Sequence, residues 1–185
     1  MKHILLNLLR KPLIPPYAPQ QSERLKRSTH SPVNETISLH AQKLRPLLRR
    51  SLAIREVDCG SDNAAEMELS SLTGPCYDLE QYGISFVASP RHADALIVTG
   101  AVTHAMADAL KRTYEATPHP KLVIAVGDDA CTGGIFQGSY AVCGGVDQVI
   151  PVDLKIPGNP PSPDEILSAL KSLMYSPDTE KGRNI

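Results

Sequence analysis

The sequence predicts an α/β fold, an open parallel sheet with helices on both faces, preceded by an extended basic N-terminal arm. Three observations carry this. From Ile54 onward short apolar runs alternate with stretches of helical periodicity, the pattern of strand–helix–strand units. The runs are nearly continuous rather than alternating, as in strands covered on both faces. With 185 residues, 42% of them hydrophobic, the chain can bury one sizeable core.

Residues 1–38 read as a flexible, proline-rich basic arm, with Pro12, Pro15, Pro16, Pro19 and Pro32 among Ser, Gln and Asn. Residues 39–55 read as a basic amphipathic segment. Leu39, Leu44, Leu47, Leu48 and Leu52 fall on a roughly helical spacing, and Pro46 either kinks the run or marks its start. The domain proper is expected over 56–176. In order, "AIREVDC" reads as a strand, "NAAEMELSSLT" as a helix and "GISFVAS" as a strand. "ADALIVTG" follows as a strand, "THAMADALKRTYEA" as a helix and "KLVIAVG" as a strand. "SPDEILSALKSLMY" closes the domain as a helix with Ser162 as its cap, Pro163 in the first turn and Glu165 at the third position. Residues 177–185 read as a frayed tail. The expected arrangement is flavodoxin-like.

The net charge of −1 conceals an asymmetry. Residues 1–55 hold eleven Lys and Arg against two acids, and residues 56–185 hold eight against eighteen. A basic leading segment before an acidic body suggests contact with an anionic lipid surface or an acidic protein face. Aromatics at 4% and no tryptophan argue against a platform for stacking bases, so no nucleic-acid partner is expected. The four cysteines, at 59, 76, 131 and 143, contain no C-x-x-C pair, which excludes a zinc ribbon or a thioredoxin motif. No run approaches the ~20 apolar residues of a membrane span, and no cleavage signal is evident. An intracellular protein with free thiols is the expectation.

The informative loops follow strands: "CGSDN" after the first, "TGAVTH" after the third and "GDDACTGG" after the fourth. In an open parallel sheet such loops converge on one crevice. At this point the residues resemble a known family. "VDCGSDNAAEMEL", "YDLEQYGISFVASPRHADALIVTGAVT", "GDDACTGGIF" and "GGVDQVIPVDLKIPGNPPSPDEIL" together resemble the small subunit of membrane-bound [NiFe]-hydrogenases and of formate hydrogenlyase. They resemble more distantly the 20-kDa cluster subunit of respiratory complex I. The resemblance covers about residues 50–175.

That resemblance implies a [4Fe–4S] cluster beside a large catalytic subunit, held by four cysteines. Two come from a C-x-x-C pair after the first strand, one from a G-x-C-G loop and one from P-G-C-P-P. The matching positions here are Asp62, Ala65, Asp129 and Asn159, so all four thiolates are replaced. Cubanes are held by soft thiolates, for which a methyl group, a neutral amide and two hard carboxylates are poor substitutes. The cofactor is therefore expected to be absent, with no catalytic residue and no metal.

Two rivals stand beside this reading. A shifted cluster could use Cys59, Cys131 and Asp62. Alternatively Asp62, Asp128, Asp129 and Asn159 could form an all-oxygen site for Mg²⁺ or Ca²⁺. In the adopted reading the cavity is filled by water and hydrogen bonds, with Arg91 as a candidate partner for the carboxylates. Gly100, Gly127, Gly133 and Gly134 follow strands without a phosphate-binding pattern. Ser61, His92 and Asp94 do not read as a triad, and His92 and His104 read as surface and helix-start residues.

The resemblance then implies a non-redox structural or coupling subunit of a complex-I-like or hydrogenase-like assembly. It would be peripheral, on the cytoplasmic face of the membrane. Its partners would be the large subunit, ion-translocating membrane subunits and, through the basic segment, the membrane surface. The alternative is a working electron-transfer subunit of a hydrogenase or quinone oxidoreductase with an atypical cluster.

Overall fold

A computed structural model describes residues 37–48 and 51–175. The proline-rich arm up to residue 36 and the tail 177–185 lie outside the described residues. Strands β1 (Leu52–Asp58), β2 (Ile84–Phe86), β3 (Ala95–Thr99), β5 (Leu122–Val126) and β7 (Leu154–Ile156) form one parallel sheet in the order β2-β1-β3-β5-β7. This is the flavodoxin-like order, with its topological switch between β1 and β3. β3 and β5 are buried at every residue, as their continuous apolar runs require. Two short strands, β4 (Val102–Thr103) and β6 (Val142–Gly144), pair antiparallel beside the main sheet.

Five α-helices accompany the strands among the described residues. They are α1 (Leu39–Leu48), α2 (Ala64–Ser71), α3 (His104–Ala116), α4 (Asp128–Thr132) and α5 (Pro163–Met174). Successive strand residues point to opposite faces, so the sheet carries two cores. Leu52, Ile54, Ile97, Ile124 and Leu154 pack with Leu69 of α2 and with Ile166, Leu170 and Leu173 of α5. On the other face Leu96, Val98, Val123 and Ala125 pack with Leu110 of α3 and Ala130 of α4. Each fully buried Leu or Ile contributes about 1.5–3 kcal/mol relative to an exposed one.

The capping signals act as read. Ser162 Oγ accepts from the Glu165 amide, and the Glu165 carboxylate accepts from the Ser162 amide at 2.9 Å, a reciprocal capping box on α5. Thr103 caps α3 by accepting from the Met106 amide.

The structure alters several details of the sequence reading. α1 belongs to the folded body. Ser38 caps it and donates to Asp153 at 2.7 Å, while Asp153 also accepts from the Val123 amide. Ile37, Ala41 and Leu48 of this segment are buried in the first core. Of the leucines on helical spacing, Leu44 and Leu48 pack on the core, Leu39 and Leu47 point outward at 75% and 69% exposure, and Leu52 belongs to β1. β1 therefore starts before the boundary drawn at residue 56, and Pro46 lies inside α1 without ending it. β7, β4 and β6 were not read as strands, and "GDDACTGG" holds the short helix α4 where a plain loop was expected.

Candidate functional site: a cleft at the carboxyl ends of the strands

The first wall of the cleft is the turn after β1. The Asp58 carboxylate accepts from the Gly60 and Ser61 amides at 2.8 and 2.9 Å, and Asp62 accepts from the Ala64 amide at 3.0 Å. These are side-chain-to-backbone turns of the kind Asp favours. Asn63, with φ of 70°, turns the chain into α2, whose buried Ala65 faces the cleft. The loop after β3 presses directly on this turn. A Cβ at Gly100 would lie 2.3 Å from the Ser61 nitrogen, and Gly100 has φ of +71°, so only glycine fits.

The remaining walls come from α4 after β5 and from the loop after β7. Asp128 Oδ1 accepts from the Gly158 amide at 2.9 Å, and the Asp128 amide donates to the Gly158 carbonyl at 2.7 Å. Together the cleft is lined by Ser61, Asp62, Ala64, Ala65, Gly100, Gly127, Asp128, Asp129, Gly158, Asn159 and Pro160. All four positions singled out in the sequence, Asp62, Ala65, Asp129 and Asn159, converge here.

Their donor chemistry is hard and oxygen-based. No thiol is among the lining residues. The residues present do not fit a [4Fe–4S] cubane, which requires thiolates.

Asp129 is held above the ordinary carboxylate range, first by burial and then by the neighbouring charges of Asp62 and Asp128. Among the described residues no set of three or more His, Cys, Asp or Glu is arranged to hold a metal ion.

Geometry bears on three further sequence readings, and it agrees with the reading that Ser61, His92 and Asp94 form no triad. Cys59 and Cys131 lie outside the cleft, packed in the second core at 0% and 4% exposure. Burial pushes their thiols up to about 12 and about 11, so they are neutral at pH 7. Arg91 is not the partner of the cleft carboxylates. It sits in a turn ahead of β3, at the amino end of the sheet, in a groove with Leu47, Leu48 and His119. His92 and Asp94 are at that same end and Ser61 is at the other, so these three do not meet.

Sequence reasoning missed a polar group next to the cleft. Both carboxylate oxygens of Glu66, in the first turn of α2, are buried without a hydrogen-bond partner, as is Thr99 Oγ1 at the end of β3. Glu56 is raised by burial and by the Glu66 charge. Glu56 shares a face of β1 with the core residues Leu52 and Ile54, and that placement on the α2 face was the available signal.

Residues 62–173 match the family described as NADH ubiquinone oxidoreductase, 20 Kd subunit. The chain belongs to this family. It is 44% identical over 131 residues to formate hydrogenlyase subunit 7 of Escherichia coli, a match covering 71% of this chain and 51% of that protein. It is 38% identical over 139 residues to the probable membrane-bound hydrogenase subunit mbhJ of Pyrococcus furiosus, covering 75% of this chain and 83% of that one.

Among solved structures, a chain of the membrane-bound sulfane sulfur reductase, an archaeal respiratory membrane complex, superposes with a TM-score of 0.62 at 30% identity. That likeness covers 77% of each chain. The sequence-level resemblance to hydrogenase and complex I small subunits is thus borne out, as is the α/β sheet. Among the described residues no helix is long and apolar enough to cross a membrane.

Proposed function

We propose that this chain is a non-redox structural subunit of a membrane-associated assembly of the complex-I or hydrogenase type. The observation that carries the reading is the convergence of Asp62, Ala65, Asp129 and Asn159 on one cleft without a thiol. A cleft of carboxylates, an amide and a methyl group lacks the soft donors through which an iron–sulfur cluster is held and tuned. Electron transfer through the subunit would have no station here.

What remains is a well-specified body. Capping box, glycine turns, buried strands and two closed cores all agree with one another, as expected of a fold retained for its shape. Apolar side chains stay exposed on the elements that frame the cleft, with Met67 on α2 at 65% and Ile135 after α4 at 83%. Exposed apolar side chains around a cleft are suited to a protein contact. A hydrogenase-like large subunit is the partner this face would receive. At the amino end of the sheet, α1 presents Leu39 and Leu47 on one exposed face with Lys43. That surface is suited to the membrane arm, its ion-translocating subunits or the anionic lipid around them, on the cytoplasmic side.

The test is purification of the intact particle through an affinity tag on this chain, from membranes of the native source. Recovery of a large subunit and membrane subunits in fixed stoichiometry supports the reading. So does loss of their assembly when the chain is deleted, with rescue by the wild-type chain. A chain recovered alone from the supernatant, with the assembly intact in its absence, contradicts it.

A further inference from the structure

Away from the cleft, on the α3 side of the sheet, a thiol and an imidazole meet. Cys143 lies in β6, half-buried, with Sγ 3.2 Å from Nδ1 of His104. His104 is exposed and is the first residue of the thirteen-residue helix α3. The contact is fixed by backbone. Thr103 pairs with Val142 across the β4–β6 ladder, and the His104 amide donates to the Ala141 carbonyl at 3.0 Å. The remaining cysteines differ in every respect. Cys59 and Cys131 are buried, and Cys76 is exposed on a turn.

We propose that Cys143 and His104 form a base-assisted thiol, a site of reversible modification by low-molecular-weight disulfides. A general base within hydrogen-bond reach of a thiol is the arrangement that activates it. Partial exposure admits a small electrophile, and the imidazole is open to solvent. In the reaction His104 takes the thiol proton and the Cys143 sulfur attacks one sulfur of the disulfide. The Cys143–S–S–R bond forms as the original S–S bond breaks. The departing RS⁻ takes the proton from the imidazolium and leaves as RSH. One disulfide and one thiol are consumed and one of each is produced, so electrons balance.

The site is independent of the cleft and of the coupling role proposed above. Its test is thiolation of the full chain by oxidised glutathione at pH 7, resolved by peptide mass, with Cys76 as the exposed control in the same tube. The expected result is a Cys143 rate at least about tenfold above that of Cys76, falling to within about twofold of it in His104→Gln. Glutamine keeps a polar side chain of similar reach and cannot take the proton. Cys59 and Cys131 should stay unmodified, which reports that each variant is folded. A wild-type Cys143 no faster than Cys76 overturns the proposal whatever the variant does. So does a His104→Gln chain that is folded and reacts as fast as wild type.

Discussion

Asp128 and Gly158 grip each other through two hydrogen bonds, carboxylate to amide at 2.9 Å and amide to carbonyl at 2.7 Å. This clasp joins the α4 segment after β5 to the loop that carries Asn159, and so ties together two walls of the cleft. The four walls are held by protein–protein hydrogen bonds and glycine contacts. Asp128→Ala should therefore lower stability by about 1–3 kcal/mol, the cost of leaving a half-buried amide unpaired. Asp128→Asn, which keeps the acceptor, should lose less. Urea denaturation of the two variants beside wild type checks the order.

The raised carboxyl of Asp129 gives a pH signature. A carboxyl whose folded pKa lies above its unfolded value binds a proton more tightly in the fold. Its contribution then favours folding below the ordinary Asp range and is lost as pH rises through the raised value. At pH 7 the charged group opposes folding. Asp129→Asn should stabilise the chain at pH 7 by about 1 kcal/mol or less, since the site is partly solvated and the repulsion is screened. The gain should disappear below about pH 4. Thermal melts of both proteins from pH 3 to pH 8 read this directly, and a gain that grows toward acid would contradict the sign.

At Gly100 the turns after β1 and β3 touch, backbone on backbone. Gly100→Ala forces a Cβ onto Ser61 at a left-handed φ that alanine resists. The expected cost is about 2–4 kcal/mol, among the larger single-residue effects. Gly138, also left-handed but with nothing within 4 Å of a Cβ, is the matched control and should lose only about 1 kcal/mol.

Because the four positions share one cleft, thiols placed there should recover a binding site. The variant Asp62→Cys, Ala65→Cys, Asp129→Cys, Asn159→Cys should take up iron and sulfide on anaerobic reconstitution, giving a brown, reducible protein. Restoring only Asp62→Cys and Ala65→Cys, half of the ligand set, should yield far less. Failure of the quadruple variant to bind iron while remaining folded would mean that the positions were wrongly matched.

Much of this was legible in the sequence, for physical reasons. β1, β3 and β5 are long enough for their apolar character to stand out, and Ser162 with Glu165 spells out a helix start. The convergence of the loops after β1, β3 and β5 follows from parallel topology alone. β7 was missed because only three residues, Leu154 to Ile156, pair there, within a stretch bounded by Pro151 and Pro157. β4 and β6 are shorter than any periodicity can register. In α1 the leucine spacing picked out Leu44 and Leu48, which pack on the core, but not Ala41, the small residue buried beside them. Arg91 was matched to the carboxylates by charge alone, and strand direction then placed it at the opposite end of the sheet. The Asp128–Gly158 clasp and the buried Glu66 depend on contacts between distant segments, which a linear reading does not contain.

The most direct measurement is the iron and acid-labile sulfide content of the full chain. It should be produced anaerobically with its assembly partners and with cluster-building machinery present. A folded, colourless chain with well under one iron per molecule is the predicted outcome. About four iron and four sulfide per chain, with a paramagnetic signal on reduction, would contradict it.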